Sequence, residues 1–202
     1  RIKKADLDAR VKKVLAAKLW VGLNRKRVIS TNYLYDDLNR TSSKQLVQRL
    51  ADASITLLNS NNRLYSFQPK QKTAIVSIGV TAAQDFEKEM KARLPESDIY
   101  YIKGDEKEEA LHEIFKNAKG HKQLIVAIHD DRSRPRSEVP FSPEVKEVIA
   151  KLAKRKAITC LFTNPYALAD LPGVEKSQSI LMGYQNDWFM QRAAVRAIFR
   201  EI

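Results

Sequence analysis

The chain has 202 residues, 44% of them hydrophobic and 30% charged, with a formal net charge of +12 at pH 7. That length can bury a full domain core, and that hydrophobic share excludes a disordered chain. No apolar run approaches the roughly 20 residues that cross a bilayer as a helix, and the one cysteine excludes an internal disulfide and a thiolate metal cluster.

The charge is unevenly placed. Residues 1–72 hold 16 Lys and Arg against 5 Asp and Glu, whereas residues 73–202 hold 20 against 19. A nucleic-acid binder carries its basic face on the fold, often with aromatics between the cations. Here the excess belongs to an N-terminal arm, so no nucleic-acid partner is expected. The chain opens on Arg1 with no signal-peptide pattern and reads as a piece of a longer protein.

In chain order, "KADLDARVKKVLAAKLWVGL" (4–23) is helical, with Leu7, Val11, Val14, Leu15, Leu19 and Leu23 at steps of three and four. Asp6 and Asp8 suit its start and Gly22 its end. Residues 24–41 have no period and read as an extended connection. A second helix is expected from about Ser43 to Asn59, capped by Ser42 or Ser43, with Leu46, Val47, Leu50, Ala51, Ile55 and Leu58 as its apolar face. "NSNN" (59–62) is a turn.

From Thr73 the pattern changes to β-rich runs alternating with amphipathic helices. Strands are expected at Thr73–Val80, Asp98–Ile102, Gln123–His129, Ile158–Thr163 and Ser179–Gly183. Helices are expected at about 82–94, 105–118, 143–155, 165–170 and 187–201. This alternation predicts an α/β fold: a three-layer α/β/α sandwich on a mainly parallel five-stranded sheet, in the flavodoxin-like order 2-1-3-4-5. "TAIVSIGV" and "QLIVAIHD" are continuous apolar runs, as strands buried on both faces require. Cys160 lies in such a run and reads as a small buried hydrophobe. The boundaries expected are 1–41 for the arm and linker, 42–72 for a helix and lead-in, and 73–202 for the sandwich.

Familiar site chemistries each require particular residues at particular spacings. A phosphate or flavin site after the first strand needs a glycine-rich loop, but "SIGVTAAQDF" has one glycine, Gly79, and Thr81 reads as the cap of the next helix. No acid ends that strand, so a phosphoacceptor site is excluded, and no G-x-S-x-G is present. His112, His121 and His129 are too scattered for zinc; His112 and His121 read as solvated.

The richest stretch is "AIHDDRSRPRSEVPFSPE" (127–144). It leaves the third strand at the switch point of such a sheet, where ligands bind. It holds His129, Asp130, Asp131, Arg132, Arg134, Arg136 and Glu138. Paired carboxylates perform acid/base work on glycosidic bonds, but adjacent Asp130 and Asp131 are poorly placed to flank one atom. The plainer reading is a surface loop whose Arg and Asp residues pair with each other or with a neighbouring domain. In "AITCLFTNPYALADLP" (157–172), Asn164 ahead of Pro165 fixes a sharp strand-to-helix turn. Tyr184 and Gln185 reach the same edge, as scaffold or as contacts to another domain.

"FTNPYALADLP", "ILMGYQND" and "QRAAVRAIF" together resemble the C-terminal domain of family 3 glycoside hydrolases, in the β-N-acetylglucosaminidase (β-hexosaminidase)-like branch. "ARVKKVLAAKLWVGLN" is similar to the last helix of that family's barrel. "LVQRLADASITLLNSNNRLYSF" is similar to the segment that opens its second domain. The resemblance covers nearly the whole chain, in the family's order. The family's common GNPY reads TNPY here, with Thr163 in place of glycine, and the family usually continues beyond the position of Ile202.

The resemblance implies a retaining glycosidase in two parts. An upstream (β/α)₈ barrel holds the sugar and the nucleophile, and this chain is the non-catalytic sandwich beside it, inactive alone. It implies no cofactor and no metal. The carbohydrate is met only through the barrel, in a bacterial cell envelope or periplasm. In the glucosidase-like branches the second domain lends an acid/base glutamate; Glu138 is the loop's glutamate, but no motif around it matches. Asp130, Asp131 and Glu138 remain the catalytic candidates, and His129, Arg132, Arg134, Asn164, Tyr184 and Gln185 the barrel- or substrate-facing ones. A free-standing flavodoxin-like ligand-binding module is the alternative reading of the residues.

Overall fold

The computed structural model describes residues 2–25, 30–58, 67–132 and 136–202. The chain divides into two compact units, 1–41 and 42–202. In the first, helix α1 (Lys4–Trp20) is followed by a short helix α2 (Leu34–Leu38) inside the stretch expected to be extended. Gly22 has φ of +78°, as suits the end of a helix. No residue of α1 is buried.

The second unit is a sheet with helices on both faces. Its elements are α3 (Thr41–Ser54), β1 (Thr56–Leu58), β2 (Thr73–Ile78), α4 (Asp85–Arg93), β3 (Asp98–Ile102), α5 (Glu108–Lys119), β4 (Gln123–His129), α6 (Pro143–Ala153), β5 (Ile158–Phe162), β6 (Ser179–Met182) and α7 (Trp188–Ile198). The sheet order is β1-β6-β5-β4-β2-β3. From β3 to β6 all pairs are parallel. Those five strands stand in the 2-1-3-4-5 order that the alternation predicts.

The sixth strand, β1, was not foreseen. The second helix stops at Ser54 rather than Asn59, and Thr56–Leu58 pair antiparallel to β6. Leu58 therefore packs from a strand, and Ile55, just past the helix end, packs against the core residues of α7. A three-residue strand is too short for its period to show. The expected 59–62 turn lies outside the described residues.

Strand periodicity sorts the core into two layers. Val76, Ile78, Val126, Ile128 and Leu161 face Leu111 of α5 and Val145, Ile149 and Leu152 of α6. Ile75, Ile125, Ala127, Cys160 and Phe162 face Phe86 and Met90 of α4 and Ala194, Val195 and Ile198 of α7. Cys160 is fully buried, and burial pushes its thiol far up, so it is inert. A small third cluster of Ala51, Met190 and Ala193 ties α3 to α7, with an Arg196–Asp52 ion pair beside it.

Candidate functional site

At the carboxyl ends of β4, β5 and β6 lies a cleft of about 380 Å³, lined by Asp130, Asp131, Arg132, Phe162, Thr163, Tyr184, Gln185, Asn186 and Asp187. Parallel strands place it here, because the loops leaving their carboxyl ends converge. A second cavity of about 420 Å³ lies between α5 and α6. Its floor is Leu111, Phe115 and Val148 and its acids sit on helix surfaces, so of these two it is the first at which buried polar groups converge.

Gly79 shapes the edge of β2. It has φ of +90°, and a Cβ built on it would stand 2.1 Å from the carbonyl oxygen of His129. The glycine exists for close approach of two strand ends, not for a phosphate cradle. Helix α4 begins only at Asp85, preceded by Gln84, whose N–H donates to Glu87 Oε2 at 2.8 Å. Thr81 is therefore not its cap, contrary to the sequence reading.

Asp130 is buried, and Arg132 grips it with two parallel bonds, Nε to Oδ1 at 2.8 Å and Nη2 to Oδ2 at 2.7 Å. The Arg132 N–H and the Thr163 hydroxyl add bonds of 3.1 and 3.2 Å. Burial pushes the Asp130 carboxyl up, but these donors outweigh it and hold it below the usual range. An ionised carboxylate so fully occupied has no proton to give. Thr163, standing where the family pattern has glycine, supplies one of its donors.

Arg132 Nη2 also donates to the Glu138 carbonyl at 2.6 Å, which folds the loop back on itself. The Glu138 side chain is exposed. Arg134 lies outside the described residues. Asn164 accepts from Tyr166 N–H at 2.9 Å and donates to the Arg136 carbonyl at 2.6 Å. It thus starts the 3-10 helix Pro165–Asp170 and pins the long loop with one amide. Tyr184 has φ of +59°, and its hydroxyl shares a 2.6 Å hydrogen bond with Thr56 Oγ1 of β1. Gln185 is exposed at the rim.

His129 does not line the cleft; it lies beneath it, fully buried. Its Nε2 stands 3.0 Å from Glu87 Oε1, and its Nδ1 stands 2.9 Å from Asn186 Oδ1. Ser77 Oγ donates to the same Glu87 oxygen at 2.6 Å. Burial pushes the Glu87 carboxyl up, but bonds from His129, Ser77 and Gln84 outweigh it and hold it below its usual range. Asn186 donates to Asp131 and accepts from Gln191 Nε2 at 2.8 Å.

Glu87, Ser77, Asn186 and Gln191 were missed by sequence reasoning. One signal was present: Ser77 interrupts an otherwise apolar run buried on both faces. Glu87 sits between Phe86 and Met90 on the buried side of α4, and nothing local marks it as inward-facing. His121, read as solvated, is instead buried in its side chain and bonds Asp98 at 2.7 Å. This bond and the Lys72 ion pair hold Asp98 below the usual carboxylate range. His112 is exposed, as expected.

No protein-family model matches the sequence, and no curated protein matches it. Solved structures do. A glycoside hydrolase family 3 β-N-acetylglucosaminidase from Paenibacillus sp. str. FPU-7 matches with a TM-score of 0.70 at 20% identity, over 100% of this chain and 38% of its own. A β-glucosidase from Listeria innocua in complex with isofagomine matches with a TM-score of 0.76 at 15% identity, over 100% and 31%. A β-glucoside phosphorylase bound to 2FGlc matches with a TM-score of 0.73 at 17% identity, over 99% and 37%. The chain has the fold of one part of these enzymes. It spans about a third of their length.

Proposed function

We propose that this chain is the non-catalytic α/β sandwich of a family 3 glycoside hydrolase of the β-N-acetylglucosaminidase-like branch. The observation that carries the reading is that two likenesses coincide. The ordered segments from "ARVKKVLAAKLWVGLN" to "QRAAVRAIF" resemble that family, and the whole fold matches one part of its solved members. An upstream barrel would then be the partner, and carbohydrate would be met through it.

The site chemistry supports a scaffold role. Asp130 is spent on Arg132 and Thr163, so it does not stand free to trade a proton, and Asp131 holds the amide of Asn186. Arg132, Tyr184 and Gln185 are the residues we assign to the face turned toward barrel or sugar. The exposed apolar residues Leu46, Val47 and Leu50 of α3 fit a contact face, since such patches mark interaction sites. The domain limits we propose are 1–41, 42–72 and 73–202.

The test is hydrolysis of chromogenic β-N-acetylglucosaminides and β-glucosides by the 202-residue chain and by a parent protein carrying the barrel. Turnover by the parent alone is expected. The flavodoxin-like alternative predicts a tightly held phosphate-bearing ligand at 80–83. No observation favours it, because Gly79 serves strand contact and the loop has no second glycine.

A further inference from the structure

We propose that His129 is a buried imidazolium that positions the rim of the cleft: it donates one ring N–H to Glu87 and the other to Asn186, and Asn186 holds Asp131. This holds whether or not the cleft meets sugar.

The direction of each bond follows from its neighbours. The backbone N–H of Phe86 donates to Gln191 Oε1 at 2.9 Å, which leaves the Gln191 amide nitrogen to donate onward. It does so to Asn186 Oδ1 at 2.8 Å. At its other end, Asn186 faces the Asp131 carboxylate, which needs an amide hydrogen. Both neighbours therefore turn the Asn186 oxygen toward the imidazole. A ring nitrogen 2.9 Å from that oxygen must carry a hydrogen, so Nδ1 is a donor.

The other nitrogen faces Glu87. That carboxyl already accepts from Gln84 N–H and the Ser77 hydroxyl. With these donors added to the ring, the Glu87 carboxyl is held below its usual range against its burial, so Glu87 is the anion of the pair and the shared proton rests on Nε2. The Phe162 ring lies under the imidazole, centroids 5.0 Å apart and planes inclined by 31°, offering its face to the cation.

The charged and titratable surroundings agree with one positive charge at this point. Glu87 comes from α4, and Asp131 acts through Asn186 from the loop after β4. Asp130 on the same loop is matched by Arg132. Cys160 on β5 and Tyr101 on β3 are both pushed up, chiefly by burial and then by the Glu87 charge, so both stay neutral. Among the described residues, the hydrogen bonds of the His129 ring go to Glu87 and Asn186.

The test is ring-nitrogen NMR on the ¹⁵N-labelled 202-residue chain at neutral pH. His112→Asn and His121→Asn, on other elements, leave His129 identified by elimination. Both of its nitrogens should show a directly bonded, slowly exchanging hydrogen. Glu87→Gln should release the Nε2 hydrogen and move that nitrogen to the unprotonated position. A wild-type spectrum with either ring nitrogen bare would overturn the proposal. A bare Nδ1 means Asn186 is turned, and a bare Nε2 means the proton sits on Glu87. An unchanged Nε2 in Glu87→Gln would equally refute the pairing.

Discussion

Helices α1 and α6 both carry apolar residues at helical steps, more sharply separated from the charged ones in α6, and have opposite surroundings. In α1, Leu7, Val11, Val14, Leu15 and Leu19 recur at helical steps, and all are between 46% and 61% exposed. In α6, Val145, Val148, Ile149 and Leu152 recur in the same way, and none exceeds 7%. The periodicity reports that a helix has an apolar face. It does not report what covers that face. In the sandwich the cover is the sheet; for α1 the proposed cover is the upstream barrel whose last helix it resembles.

The comparison can be sharpened by substitution. The largest effect is expected at the buried pair. His129→Ala takes the ring partner from buried Glu87 and leaves it only the Ser77 hydroxyl and the Gln84 N–H, and should cost about 3–5 kcal/mol in denaturant unfolding. Leu152→Ala, in the covered stripe, should cost about 2–5 kcal/mol by the same measurement. Gly79→Ala should cost about 2 kcal/mol, because its φ is positive and its Cβ would meet the His129 carbonyl.

Acid should act on the sandwich through carboxylates held below their usual range. Asp130 is held by Arg132 and Thr163 against its burial, and Asp170 by Lys146 and then the Val139 N–H. Such groups stabilise fully above the ordinary carboxylate value, and the contribution is lost as pH falls through their folded values. The urea midpoint should hold near neutrality and fall between about pH 5 and pH 3. The smallest effect is expected at Leu15→Ala. It should change sandwich unfolding by less than about 0.5 kcal/mol, and a cost like that of Leu152→Ala would mean its stripe is already covered.

Much of the fold was legible because strands buried on both faces read as unbroken apolar runs. The parallel sheet followed from the alternation of strands and helices, and the order of its five parallel strands is a common one for such a sheet. β1 was not legible, since three residues show no period and its partner β6 is more than 120 positions away in sequence. The cleft was legible as a place: the loop after β4, with Asp130 and Arg132, was singled out from its composition and its position at the switch point, and Asn164 from the break that ends β5. Its supporting network was not. Glu87 and Ser77 look like an ordinary helix acid and a strand polar residue until α4 is laid on β2. His121 was misread for the same reason, because its partner Asp98 begins a different element.

The measurement that bears most directly on the account is hydrolysis of a chromogenic β-N-acetylglucosaminide and a β-glucoside, by residues 1–202 alone and by the parent protein with its barrel. The account predicts turnover by the parent and none by the chain alone. Turnover by the 202-residue chain itself would contradict it and return Asp130, Asp131 and Glu138 to the position of catalysts.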